Sequence, residues 1–277
     1  KDSIIILDKL VHACLVDAAR LSGAKIRVFA HNDPGDLEEK LRWAKTVQNT
    51  GHTLIVTESI FSMDGDAAPL PEIVALKEKY GAWVMVDEAH ATGLYGKKRR
   101  GLAEELGVSD RIEVQMGTLG KALGASGGYI CGSKVLIDFL VHRARSFIFS
   151  TAPVPAAAAA ATAGIHLVQS HQGETQRKLL WQQVSELLPA ISRRPSAISS
   201  AIIPILIGEE TKAVQVSANL RGQGIFVPAI RYPTVARGKA RLRITLTAAH
   251  NTGEIRQLGV ALDQILNPKP NAQTCAT

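Results

Sequence analysis

Two short strings hold residue types able to do chemistry together. Val86-Asp87-Glu88-Ala89-His90 sets a carboxylate at the end of an apolar, β-rich run, with an imidazole three residues further on. Gly117-Thr118-Leu119-Gly120-Lys121-Ala122-Leu123-Gly124-Ala125-Ser126-Gly127-Gly128 sets a lysine among small residues. A buried carboxylate needs a cationic partner, because an unpaired buried charge is costly. A lysine in crowded, partly dry surroundings is held neutral more readily, and a neutral amine attacks a carbonyl to form an imine. Each string also has a plain reading. Asp87 alone could cap the segment that follows its strand, and Lys121 alone could be a solvated residue on a glycine-rich loop. The string D-E-A-H also occurs in nucleic-acid helicases, but that chemistry needs a phosphate loop, G-x-x-x-x-G-K-[ST], upstream. The pairs Gly96-Lys97, Gly120-Lys121 and Gly238-Lys239 are not followed by Ser or Thr, and Gln115 stands where the leading glycine before Gly120-Lys121 would be.

The elements that must position these residues read as α/β. The opening residues Lys1 to Asp8 read as a strand, Thr53 to Thr57, Trp83 to Asp87 and Ile112 to Met116 are short apolar runs suited to buried strands, and Gly127 to Cys131 follows at hairpin distance. Pro71 to Tyr80 has helical spacing, with Pro71 suited to the first turn and Gly81 to a left-handed stop. Strands separated by helices predict a mainly parallel sheet, whose ligands gather at the carboxyl ends of the strands. From Pro155 through His166 towards Leu187 the spacing is helical. Strands are expected at 202–207, 225–228 and 242–246, and helices at 212–220 and 252–265. The division expected is a large domain over 1–165, a smaller α+β domain over 166–267, and a disordered tail over 268–277.

Composition narrows the classes. Hydrophobic residues make up 46% and charged residues 21% of the 277, the balance of a globular protein. No apolar run reaches the ~20 residues that span a bilayer, so no membrane partner is expected. Cys14, Cys131 and Cys275 are isolated, which suggests neither disulfides nor a zinc or other metal cluster and fits a reducing cytoplasm. The formal charge of +7 favours anionic small molecules, but its dispersal argues against nucleic acid. The first residue is Lys1, and the chain is expected to begin inside a folded domain.

Asp87 and Lys121 each follow their own strand with a helix-sized segment between them. This layout resembles that of the fold-type-I enzymes dependent on pyridoxal 5'-phosphate. Asp8 to Ala13, Phe61 to Asp66, Val86 to His90, Gly117 to Lys121, Phe147 to Thr151, Ala229 to Val235 and Arg241 to His250 fall in the order seen in one family of these, the α-oxoamine synthases. The resemblance runs from Asp8 to about Ile265. Ala229 to Val235 and Leu246 to His250 are most similar to the branch that condenses L-alanine with a pimeloyl thioester of coenzyme A or acyl-carrier protein.

The resemblance implies roles. Lys121 holds the cofactor as an imine and then acts as base on the amino acid. Asp87 pairs with the ring nitrogen, keeping the ring electron-withdrawing. Ser62 and His90 bond the phenolic oxygen, and His12 lies over the ring face. For His12 the plain alternative is a surface residue at a helix start. Thr118 binds the cofactor phosphate, and Thr151 reaches the phosphate of a neighbouring subunit, which implies a homodimer. Arg231 grips the substrate carboxylate and Thr234 lies near the acyl substrate. Family members carry a further N-terminal region with a phosphate-binding glycine segment, so the sequence is expected to be a fragment. Glu88 stands where many members have Asp, Tyr232 where many have Pro, and Arg237 and Lys239 add charge nearby. A sister synthase using another amino acid or acyl group, and a non-catalytic dimer partner, are the alternatives.

Overall fold

The computed structural model describes residues 2–47, 51–191 and 200–266. The chain forms two compact units, one of residues 1–62 and 67–174, the other of 63–66 and 175–277. In the first unit the order is β1 (Ile4–Asp8), α1 (Ala13–Ser22), β2 (Lys25–Phe29), α2 (Pro34–Val47), β3 (Thr53–Glu58), α3 (Leu70–Tyr80), β4 (Trp83–Asp87) and α4 (Leu102–Glu105). A 3-10 turn (Ser109–Arg111), β5 (Val114–Thr118), β6 (Gly128–Gly132), α5 (Lys134–Arg143), α6 (Arg145–Ile148), α7 (Pro155–Gln169) and the start of α8 (His171–Ala190) follow.

The strands make one sheet in the order β2-β1-β3-β4-β5-β6, parallel throughout except for the β5–β6 pair. The central strands are buried on both faces. Ile4, Ile6, Ile55, Val56, Val84 and Val86 are almost fully enclosed, which is why their sequence reads as continuous apolar runs. α2 and α3 pack on each other and on the sheet. α3 runs as the sequence predicts: Gly81 adopts φ 58° and donates its N–H to the carbonyls of Lys77 and Glu78.

Three expectations shift by local competition for backbone bonds. The strand expected over 112–116 begins at Val114, because Ile112 closes the 3-10 turn by donating to Ser109 O. Glu113 then accepts Val84 N–H at 2.8 Å and the Lys77 ammonium at 2.5 Å through its side chain. The helical run from Pro155 is two helices, broken at Ser170. There the hydroxyl donates to Leu167 O and accepts Gly173 N–H. The strand expected over 225–228 is irregular. Ile225 N–H closes the helix over Glu210–Gly222 on Leu220 O and Val227 O accepts the Ser217 hydroxyl, so the ladder begins at Ala229.

The second unit contains the remainder of α8, β7 (Ile202–Gly208), α9 (Glu210–Gly222), β8 (Ala229–Ile230), β9 (Ala240–Thr245) and α10 (Thr252–Leu266). Its sheet is antiparallel in the order β7-β9-β8, with α9 packed on it through Ala213, Val216 and Leu220. The segment 63–66 belongs here: Arg241 donates to Met63 O at 3.1 Å and pairs with Asp64 at 2.5 Å. Gly65, at φ 65°, lies where a Cβ would be 2.2 Å from Ile202 O. The divide falls at Glu174/Thr175 rather than 165/166, because α7 packs in the first unit. Gln169 bonds Lys98 O, and Gly164 lies against Leu123. The expected tail over 268–277 lies outside the described residues. No described helix is long and apolar enough to cross a membrane.

Candidate active site

Because β1, β3, β4 and β5 are parallel, Asp8, Glu58, Asp87 and Thr118 end their strands along one edge of the sheet. His12, Ser62, His90 and Lys121 follow those strands. This is the edge at which open α/β sheets bind ligands.

Asp8 builds the first corner. Its carboxylate accepts Leu10 N–H at 2.8 Å, Asn32 N–H at 2.9 Å and shares a 2.9 Å bond with His31 Nδ1. His31 stands edge-on to Phe61 at 4.4 Å. His12 leaves this turn as the N-cap of α1. Its Nδ1 accepts Cys14 N–H at 3.3 Å, and its own N–H donates to Glu58 Oε1 at 2.5 Å. It is exposed, so it is both a helix-start residue and a side chain available at the edge.

Glu58 and Asp87 are register partners across β3 and β4, and both are buried. Burial first, and then the charge of Asp87, push the Glu58 carboxyl up to about 7, against the N–H groups of His12 and Ser62 and the charge of Lys121. Burial also raises Asp87. The N–H of Ala89, at 2.8 Å from Oδ1, and the nearby Lys121 and His12 pull it the other way. Glu88 serves a separate task. Its oxygens accept Leu102 N–H at 2.9 Å and Ala103 N–H at 2.8 Å, sealing the start of α4. Gly101, where a Cβ would lie 2.4 Å from the Glu88 carboxyl carbon, gives the longer acid its room.

Lys121 stands on the connection between antiparallel β5 and β6. Leu119 N–H bonds Gly127 O, Ala125 N–H bonds Leu119 O and Gly124 N–H bonds Lys121 O, at 2.8–3.1 Å. Thr118 joins this turn, its hydroxyl donating to Gly127 O and accepting Gly120 N–H. Lys121 Nζ is 3.0 Å from His90 Nε2. The side chain is exposed, so the partly dry setting expected of it is absent in this chain. The crowding is on the backbone side: a Cβ on Gly93 would meet the Ala122 methyl at 2.8 Å, and one on Gly164 would meet Leu123 O at 2.3 Å.

The structure therefore joins Lys121 to His90 and ties His12 and Ser62 through Glu58, with Asp87 at the next strand end. Thr151 is exposed in the extended stretch between α6 and α7. Arg231 and Thr234 are in the second unit, where a turn after β8 brings Thr234 N–H onto Arg231 O at 3.0 Å. Arg237 lies over the Tyr232 ring at 4.2 Å, so two departures from the family pattern contact each other. Glu58, absent from the sequence reading, is a buried carboxyl group at this same edge. The rule that singled out Asp87 applies equally to a glutamate ending β3.

Pyridoxal 5'-phosphate fits this donor set. A buried acceptor suits a protonated ring nitrogen, an exposed amine suits an aldehyde, and the Thr118 hydroxyl and glycine-rich turn suit a phosphate. Fold and strand-end site together define the fold-type-I class of pyridoxal-phosphate enzymes. The chain belongs to the class I and II aminotransferase family, whose model matches residues 1–262. It is 43% identical over 268 residues to 8-amino-7-oxononanoate synthase 1 of Bacillus subtilis, covering 96% of this chain and 66% of that one. To the 8-amino-7-oxononanoate synthase of Bordetella petrii it is 42% identical over 270 residues, covering 96% and 67%. Among solved structures, a serine palmitoyltransferase of S. paucimobilis carrying a pyridoxal-phosphate–myriocin adduct superposes with TM-score 0.89 at 28% identity, covering 96% and 67%. An 8-amino-7-oxononanoate synthase of Francisella tularensis does so with TM-score 0.79 at 26% identity, covering 95% and 75%. The chain spans about two thirds of the length of the curated relatives it matches.

Proposed function

We propose that the chain carries the catalytic frame of an 8-amino-7-oxononanoate synthase. That enzyme is a cytoplasmic acyltransferase of biotin synthesis, condensing L-alanine with pimeloyl-CoA, or its acyl-carrier-protein equivalent, with release of coenzyme A and CO2. The observation that carries this reading is the 3.0 Å approach of Lys121 Nζ to His90 Nε2, beside Asp87, in a chain 43% identical to such synthases.

When bound, pyridoxal phosphate supplies the electron sink for a carbanion at the amino-acid α-carbon. The protein's residues do the rest. Asp87 holds a proton at the ring nitrogen. Lys121 Nζ would anchor the cofactor and, as a free amine, would take the amino acid's α-proton. His90 orients that amine and, with Ser62, bonds the phenolic oxygen. His12 limits the ring face, Thr118 bonds the phosphate, Arg231 grips the substrate carboxylate and Thr234 contacts the acyl chain. Thr151 reaches a second subunit. The exposed apolar side chains Val135, Phe139, Phe147, Phe149 and Val154, on α5, α6 and the stretch leading to α7, support burial against another copy.

The test is absorbance of the purified chain with added pyridoxal phosphate, beside Lys121→Ala. A visible band that borohydride fixes onto Lys121, and that the variant lacks, is expected. A folded chain without it overturns the reading. The similarity in fold to serine palmitoyltransferases favours a second reading, with L-serine and a longer acyl thioester. Release of coenzyme A with alanine and pimeloyl-CoA, compared with serine and palmitoyl-CoA, separates the two.

A further inference from the structure

Glu58 is a buried carboxyl group to which the proposed reaction assigns no task. It is 3% exposed at the end of β3. It joins two residues that the reaction does use: Oε1 accepts His12 N–H at 2.5 Å, and the carboxylate also accepts the backbone N–H of Ser62. His12 is the residue proposed to face the cofactor ring, and Ser62 the one proposed to bond its phenolic oxygen. In the sheet, Glu58 is the register partner of Asp87, the partner proposed for the ring nitrogen. One side chain thus joins the anchors of two separate contacts to a single planar ring, and its strand position sets it beside the anchor of a third.

Resting on the pyridoxal-phosphate reading, we propose that Glu58 is a positioning residue, seating His12 and Ser62 around the cofactor ring and adding a second negative charge beside Asp87. The groups that act on it are Asp87 on β4, Lys121 in the turn after β5, and the N–H groups of His12 and Ser62, and Glu58 in turn helps raise the nearby Cys14 thiol at the start of α1. Burial and Asp87 hold the Glu58 carboxyl up to about 7 in the cofactor-free chain. A cationic ring at Asp87 relieves the second of these, so cofactor binding draws Glu58 towards its ionised form. By linkage the ring then binds more tightly as pH rises through neutrality.

Pyridoxine 5'-phosphate has the ring, the phenolic oxygen and the phosphate but no aldehyde, so it reports on seating without the lysine bond. Its affinity is measured by calorimetry at pH 6 and pH 8 for the unaltered chain, Glu58→Gln and Glu58→Ala. Glutamine keeps an oxygen for the backbone N–H groups but carries no charge. The expected result is a gain from pH 6 to pH 8 about tenfold larger in the unaltered chain than in Glu58→Gln. Glu58→Ala is expected to bind about tenfold more weakly than Glu58→Gln at both pH values. A glutamine variant that follows the unaltered chain across pH overturns the charge, and an alanine variant that binds like the unaltered chain overturns the seating. Should the alanine variant fail to fold, the glutamine arm decides alone. An unaltered chain that binds neither pyridoxine phosphate nor pyridoxal phosphate overturns the functional reading and this inference with it, whereas binding with unresponsive variants removes the inference only.

Discussion

Gly164 of α7 lies against the backbone carbonyl of Leu123, two residues beyond Lys121, with 2.3 Å between that oxygen and the place a Cβ would take. The helix therefore meets the lysine turn backbone to backbone. Gly164→Ala must push one away from the other, at a cost of about 1–3 kcal/mol. Urea denaturation measures that loss. Slower borohydride-fixable loading of Lys121 with pyridoxal phosphate is expected alongside it.

Asp87 is enclosed at 6% exposure, and its proposed cationic partner arrives with the cofactor. Removing one member of a buried pair costs about 3 kcal/mol or more, or about 100-fold in affinity. Asp87→Ala should weaken pyridoxal phosphate binding by that much in a fluorescence titration. Asp87→Asn, with the shape kept, should recover only part of it.

The acidic edge sets a pH dependence in the cofactor-free chain. Burial pushes Glu58 from an ordinary 4.5 up to about 7 and raises Asp87 and Glu88 in the same direction. Between pH 4.5 and 7 the folded chain keeps a Glu58 proton that the unfolded chain has released. Stability from this group is therefore fully present below pH 4.5 and is lost as pH rises through 7, by about 3 kcal/mol. Urea midpoints should fall from pH 5 to pH 8, and Glu58→Gln should flatten that fall.

Arg241 holds the segment 63–66 to the second unit through Met63 O and Asp64. Its side chain is 10% exposed and that of Asp64 30%, so the solvent-screened pair contributes about 2 kcal/mol. Arg241→Met keeps the volume and loses the bonds. Limited proteolysis should then cut near Gly65 faster than in the unaltered chain, while the thermal transition falls by only a few degrees.

The parts of the site that were legible in the sequence share one property: an apolar run stops and a polar residue follows. Asp87 and Lys121 stand out for that reason, and the parallel sheet brings their strand ends to one edge. Glu58 obeys the same rule, but the apolar run from Thr53 closes at Thr57, so the sequence does not mark the glutamate as the last residue of the strand. β2 is hidden in the sequence for the opposite reason. Lys25 and Arg27 interrupt its apolar residues, as an edge strand with solvent beside it allows. The expected strand at 225–228 had the composition of a strand, but composition cannot report that α9 and Ser217 claim its backbone groups. Glu88 reads in the sequence only as a difference from the family's Asp, and the folded chain shows its two oxygens on the start of α4.

The β5–β6 turn differs from every other connection at the carboxyl edge. After β3 and β4 the chain leaves through a helix and returns elsewhere, so extra residues can be taken up along the way. Thr118 and Gly128 are paired with each other, which makes 119–127 a closed circuit with both ends fixed. A single insertion or deletion there moves the amine itself. Length variation among descendants of this gene should accordingly collect in the segments after β3 and β4, leaving the lysine circuit unchanged in length even where its letters drift.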